Sequence, residues 1–290
     1  MKIGKYIGFV VIVVMAACSG PKSFISLKNS AENKAAQGNY TQAVESWQQY
    51  FNQQPVEEID GGTFANAAQS AFQAGKSELA VDWFDQARYK NFSSAEMYST
   101  LAKIYQSQGN LSKELSALEF YAENYNENQG ETNNRLFTIY YEIEMFDKAL
   151  AVWEKLNEAS KNELSNQEKF FQINLEKENT GICDSVSLII LQKNPQNVDA
   201  LEWNAKKFYW KAENRYQEEM EKYNKNKTTK QYRTLLNELD KVTTDFKKAL
   251  PYFKKLWEMN PGEKYAGYMA NIYARFGDEK KADYYKKFLN

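Results

Sequence analysis

The stretch GNYTQAVESWQQYFNQQP, residues 38–55, decides the architecture, because each of its marked positions has a geometric reason. Gly38 opens it, Tyr40 follows two residues later, Ala43 five later and Trp47 nine later, and Pro55 closes it. A glycine accepts the backbone angles of a tight turn that other residues resist. A small residue such as Ala43 lets two helices approach closely, and a large ring such as Trp47 fills the gap that remains. A proline cannot continue a helical hydrogen-bond ladder, so Pro55 marks a helix end.

Working outward, the same spacing recurs with a period of about 34 residues. Gly75, Ala80, Phe84 and Ala87 form the next unit, and Leu101-Ala102, Tyr105, Gly109, Leu111, Leu118 and Tyr121 the one after. Leu136-Phe137, Tyr140, Phe146, Ala149, Trp153 and Leu156 follow, with Glu144 where glycine is expected. A degenerate unit holds Phe170-Phe171, Cys183 and Pro195, and a last one holds Met269-Ala270, Tyr273, Gly277 and Ala282. Ala31, Ala68, Ala102, Ala205 and Ala270 supply the small residues of the first helices. These residues resemble the tetratricopeptide repeat family from about Phe24 to Asn290. The resemblance implies an all-α fold, an α-α superhelix (solenoid), and a departure from its spacing adds one elongated helical hairpin.

That hairpin is read from a disturbed repeat. Its first helix begins near Val198 and carries Leu201, Asn204-Ala205 and Phe208, but the matching second-helix alanine is Ala249, followed by Phe253, Leu256 and Pro261. About 32 residues are therefore inserted. Split between two arms, they lengthen each by roughly 16 residues, or ~24 Å. Tyr216, Met220 and Tyr223 recur at helical spacing on one arm, and Leu235, Leu236, Leu239, Val242 and Phe246 on the other. The segment 224–230 lacks apolar residues and reads as the exposed tip, with Thr228 or Thr229 able to cap the returning helix. Lys225, Lys227 and Lys230 sit there without an acidic residue between Lys222 and Arg233, a candidate contact for lipid head groups or an acidic partner.

The composition agrees. Among 290 residues only 13 are Gly and 5 Pro, fewer than strands and turns normally need, so a helical chain is expected. A net charge of −1 offers no field to attract nucleic acid. The absence of His removes the commonest general base and zinc ligand. Carboxylate pairs such as Glu142 with Glu144, or Glu218 with Glu219, lie on regular polar faces, and no phosphate loop, nucleophile elbow or metal-ligand spacing is present. No catalysis, cofactor or metal is expected. Cys183 falls at an apolar helix position and reads as packing.

The N-terminus reads as a targeting segment. Lys2 and Lys5 precede an apolar run from Ile7 to Met15, too short for a comfortable span, and Ala16-Ala17 precede Cys18. Met15-Ala16-Ala17-Cys18 resembles a bacterial lipobox, which implies acylation of Cys18 and cleavage just before it. Ser19 in place of Asp resembles outer-membrane sorting, facing the periplasm. The chain thus divides into a signal peptide (1–17), a lipidated tether (18–23), five repeats (24–197), the elongated pair (198–261) and a final repeat (262–290).

In the repeat family, first helices line a concave groove that takes an extended peptide or partner helix. The register places Phe72, Lys169, Arg135, Tyr141, Trp203, Lys206, Tyr209, Trp210, Tyr268 and Arg275 near that face. Trp203 and Trp210 are two turns apart, so both point in one direction. One subclass clamps the carboxylate of chaperone tails; Lys28 and Asn66 match its pattern, but Glu32, Glu96 and Thr100 depart from it, which disfavours that ligand. The expected role is an envelope scaffold gripping a protein or peptide partner. An alternative is glycan or peptide capture for outer-membrane uptake, with Trp203, Tyr209 and Trp210 stacking on sugar rings.

Overall fold

A computed structural model describes residues 21–289; Cys18 and the segment 1–17 lie outside the described residues. Among the described residues there are fifteen α-helices and no strand. In chain order they are α1 (Pro21–Ala36), α2 (Tyr40–Gln53), α3 (Gly61–Gln73), α4 (Ser77–Tyr89), α5 (Ala95–Ser107) and α6 (Leu111–Asn124). Next come α7 (Gln129–Glu142), α8 (Phe146–Trp153), the single turn α9 (Glu158–Lys161), α10 (Leu164–Glu176) and α11 (Thr180–Lys193). The chain ends with α12 (Val198–Lys225), α13 (Thr229–Met259), α14 (Glu263–Arg275) and α15 (Glu279–Lys286). None of the described helices is long and apolar enough to cross a membrane. The helices gather into two compact units, Met1–Thr132 and Asn133–Asn290.

The turn between paired helices explains the recurring glycine. Gly38, Gly75, Gly109 and Gly277 all have φ between 66° and 77°. In each case the amide of the residue after the glycine, three past the helix end, bonds back to a carbonyl near the end of the helix, as Lys76 N–H does to Ala71 O at 2.9 Å. Glu144 and Glu178 take the same left-handed conformation, with φ of 58° and 55°, and the same closing bonds form from Met145 to Tyr140 and from Asn179 to Asn174. The turn geometry is therefore kept where the glycine is lost, at the cost of backbone strain on a side-chain-bearing residue.

Small residues follow five positions after five of these six turns, and after Gly109 the position holds the buried Glu114. Ala43, Ala80, Ala149, Cys183 and Ala282 are all fully buried or nearly so. Cys183 thus occupies an alanine site, and burial pushes its thiol pKa up, which suits packing and not nucleophilic attack. Pro55, Pro195 and Pro261 lie just past the ends of α2, α11 and α13.

In the first unit, Trp47 is 1% exposed and its Nε1 donates to Ser70 Oγ at 3.2 Å. Phe51 joins it to Phe64 and Trp83, with ring centroids 4.8 and 5.2 Å away. Truncating a ring of this kind typically costs about 3–5 kcal/mol.

The second unit contains the elongated hairpin. Helices α12 and α13 run for 28 and 31 residues, against 13 or 14 for most of the others. Ala212, Leu235, Val242 and Phe246 are buried between the arms. Asp245 is 3% exposed there and accepts a hydrogen bond from Arg215 at 3.2 Å, with Lys211 at 3.5 Å. Thr228 caps the returning arm, its hydroxyl accepting from Gln231 N–H at 3.2 Å.

Candidate binding face of the second unit

Two stretches of the second unit's first-helix face behave differently. Along α12 and α14, side chains interlock. Glu202 lies at the N-terminal end of this seam and is met by three donors. Tyr265 donates its hydroxyl at 2.6 Å, Lys206 pairs at 2.7 Å, and Lys264 closes a third contact. Burial opposes ionisation of Glu202, but these hydrogen bonds overcome it and hold the carboxyl at about 2. Two turns further on, Asn271 donates to the Tyr209 hydroxyl at 2.6 Å. At the far end Arg275 reaches both oxygens of Glu213, at 3.0 and 3.2 Å, and its guanidinium stacks 3.5 Å above the Tyr216 ring.

Between these polar rungs the aromatic residues pack on one another. Tyr209 is 6% exposed, edge-on to Tyr268, Phe246 and Phe253 with centroids 4.8, 5.5 and 6.0 Å away. Burial raises the Tyr209 phenol above its ordinary pKa. Tyr268 stacks on Phe253 at 4.7 Å. Lys206, Tyr209, Tyr268 and Arg275, expected on an open groove, are thus largely engaged within the unit. Trp210 alone of this group stays broadly accessible, at 49%.

Trp203 also diverges from Trp210. Its indole Nε1 donates to Asp184 Oδ1 on α11 at 3.0 Å, and its ring meets Phe171 edge-on at 6.3 Å. The two tryptophans share a helix face but engage different neighbours, because α12 passes α10 and α11 before it reaches α14.

The second stretch is open. A cleft of about 360 Å³ lies between α7, α10 and the start of α12. Tyr141 forms one wall; Ser165, Glu168, Lys169 and Gln172 form the other, at the i, i+3, i+4, i+7 spacing of one helix face. Asn197 fixes the third side. Its Oδ1 accepts from Ala200 N–H at 2.9 Å, capping α12, while its Nδ2 donates to Glu168 at 2.8 Å. Gln172 donates to Asp199 at 2.7 Å. Lys169 makes no ion pair among the described residues and lines the cleft together with a phenol, a hydroxyl and two carboxylates. Such mixed donors and acceptors suit the amides and polar side chains of a peptide.

Of the sequence-derived groove residues, the cleft gathers Tyr141 and Lys169. Arg135 lies on α7, half-buried and engaged. Phe72 is half-buried on α3 of the first unit. Lys225, Lys227 and Lys230 are exposed at the hairpin tip. Sequence reasoning passed over Ser165, Glu168, Gln172, Asn197 and Asp199; the polar stripe of α10 is the signal that could have found the first three.

A solved structure from Bacteroides ovatus, described as a candidate protein-binding protein, superposes with a TM-score of 0.50. It covers 76% of this chain and 100% of its own, at 16% identity. The fold is of the tetratricopeptide-type helical repeat class. Tetratricopeptide repeat proteins from Cytophaga hutchinsonii and Parabacteroides merdae also match, at 16% and 13% identity and TM-scores of 0.43 and 0.45. The first covers 90% of this chain and 93% of its own, the second 93% and 94%. No family model matches the chain, and no curated protein does.

Proposed function

We propose that this tetratricopeptide-type protein is a non-catalytic scaffold, lipid-anchored through Cys18 to the periplasmic face of the bacterial outer membrane. It holds a protein or peptide partner against α10. One observation carries the binding role: the cleft presents Lys169, Tyr141 and Ser165 to solvent between three helices, whereas the adjoining α12–α14 seam is closed by its own side chains. The description of the Bacteroides ovatus neighbour as a candidate protein-binding protein is in keeping with this. The anchor rests on the sequence Met15-Ala16-Ala17-Cys18 and on Ser19. Two acyl signals at one site give firm membrane attachment, each methylene contributing roughly 0.8 kcal/mol.

A photo-crosslinking residue at Ser165 in living cells is expected to trap a discrete protein partner, and the same residue at exposed Tyr89 in the first unit is not. Identical patterns from the two positions would remove the cleft from consideration. Metabolic labelling with a fatty-acid analogue is expected to mark the wild type and to be lost in Cys18→Ser; label retained by that variant rules out the anchor.

The accessible Trp210 ring favours one other reading, the stacking of a sugar on an uptake lipoprotein. Titration with oligosaccharides that leaves tryptophan fluorescence unchanged excludes it.

A further inference from the structure

Beyond Tyr216 the arms of the α12–α13 hairpin pack on each other, so the last turns of α12 project for roughly 14 Å past the α14 seam. Two independent features meet at this projection. The first is charge: Lys222, Lys225, Lys227, Lys230 and Arg233 are all exposed, and no acidic residue occurs from Lys222 through Asn237. Lys222 and Lys225 pair with Glu219 and Glu221 on the preceding turn, whereas Lys227, Lys230 and Arg233 make no ion pair among the described residues. The second is apolar surface where a solvated helix end would be polar. Tyr232 is 48% and Leu236 45% exposed, four residues apart on one face of α13, and Tyr223 lies against Tyr232 at 5.8 Å.

We infer that the hairpin tip docks onto an anionic lipid surface. The lysines are exposed at the end of a helical hairpin, on the last turn of α12, the connecting loop and the first turn of α13. Lysine is a compact point charge without the fork that pairs with a single carboxylate, so this arrangement suits a delocalised sheet of negative head groups better than an acidic protein. Tyrosine and lysine both place an apolar body at the acyl boundary and a polar end in water, and Leu236 adds purely apolar area beside them. The inference stands apart from the α10 cleft and uses none of its residues.

The test uses the full chain with Cys18→Ser and Asn226→Cys, labelled at residue 226 with an environment-sensitive fluorophore; Cys183 is buried and stays unlabelled. Mixed with vesicles containing 30% phosphatidylglycerol, the label is expected to brighten about threefold and shift to the blue, and to do neither with pure phosphatidylcholine. Salt at about 1 M reverses the change, since the Debye length falls to ~3 Å. Combined Lys225→Gln, Lys227→Gln and Lys230→Gln is expected to abolish the response with the helical circular dichroism unchanged, and Tyr232→Ser with Leu236→Ser to reduce it at least twofold. Equal brightening on both vesicle types, or a response that survives the triple glutamine change, overturns the inference. So does silence toward anionic vesicles together with capture of an acidic protein at residue 226.

Discussion

Between α12 and α14, Glu202, Tyr209 and Glu213 each find a partner on the facing helix; between α10 and α12, two amide–carboxylate hydrogen bonds cross and a 360 Å³ cleft stays open. Both stretches occupy the same face of the repeat and carry the same residue types: Tyr, Lys, Glu and Asn or Gln. What separates them is complementarity. Arg275 lies opposite Glu213, and Asn271 opposite a phenol, so the seam satisfies itself. Lys169 shares its cleft with Glu168 and Asp199, but those carboxylates accept from Asn197 and Gln172 and neither forms an ion pair with it. A charged or aromatic residue on a repeat's inner face is therefore available to a ligand only where the adjacent repeat has left it unanswered.

The largest test of that contrast removes the centre of the seam. Tyr209→Ala deletes a buried ring packed against three aromatic neighbours and removes the nearer of the two acceptors of Asn271, leaving only Glu213 at 3.4 Å. The expected loss is about 3–5 kcal/mol of stability. Tyr141→Ala, on the half-buried wall of the cleft, is expected to cost under about 1 kcal/mol. Urea midpoints of the two variants measure the difference. If Tyr141→Ala proves as costly as Tyr209→Ala, the cleft is structural and the distinction disappears.

A smaller effect follows from Glu202. Its folded pKa of about 2 lies below the ordinary 4.5, so its contribution to stability is complete above pH 4.5 and is lost as the pH falls toward 2. The shift alone corresponds to at most about 3 kcal/mol. Lys206 and Lys264 are 40% and 58% exposed, however, and solvent screening reduces this to about 1–2 kcal/mol. Glu202→Gln is expected to be less stable than wild type at pH 6 and to converge with it between pH 4.5 and 2. Parallel pH profiles for the two proteins would mean that the three donors do not act through the carboxylate's charge.

The repeat architecture was legible because its rules are local. Gly38 to Ala43 to Trp47 states a turn, a close approach and a filled gap within ten residues, and the 28- and 31-residue arms of the hairpin follow from where Ala249 falls. Glu144 and Glu178 show the limit of reading residue types, since the left-handed turn is kept there by the same closing hydrogen bonds without the glycine. The site was less legible for a different reason. Register marked Trp203, Tyr209 and Arg275 for the inner face, but their partners Asp184, Asn271 and Glu213 lie 19, 62 and 62 positions away, where spacing carries no information. The cleft, conversely, is built from the unremarkable polar stripe Ser165, Glu168, Lys169 and Gln172.

That stripe supplies the smallest expected effect on folding and the sharpest on binding. Lys169 is partly exposed and bridges nothing, so Lys169→Ala should change stability by no more than about 0.5 kcal/mol. A ligand that meets the ammonium loses a charge-assisted hydrogen bond of about 1.5–3 kcal/mol in the same variant, a fall in affinity of more than tenfold. Lys169→Glu adds a third carboxylate beside Glu168 and Asp199, and makes the cleft lining more negative as well as removing the donor. The yield of the Ser165 cross-link is therefore expected to fall in the order wild type, Lys169→Ala, Lys169→Glu, at constant urea midpoint. A loss of midpoint that tracks the loss of cross-link would instead place Lys169 with the seam residues, as part of what holds the helices together.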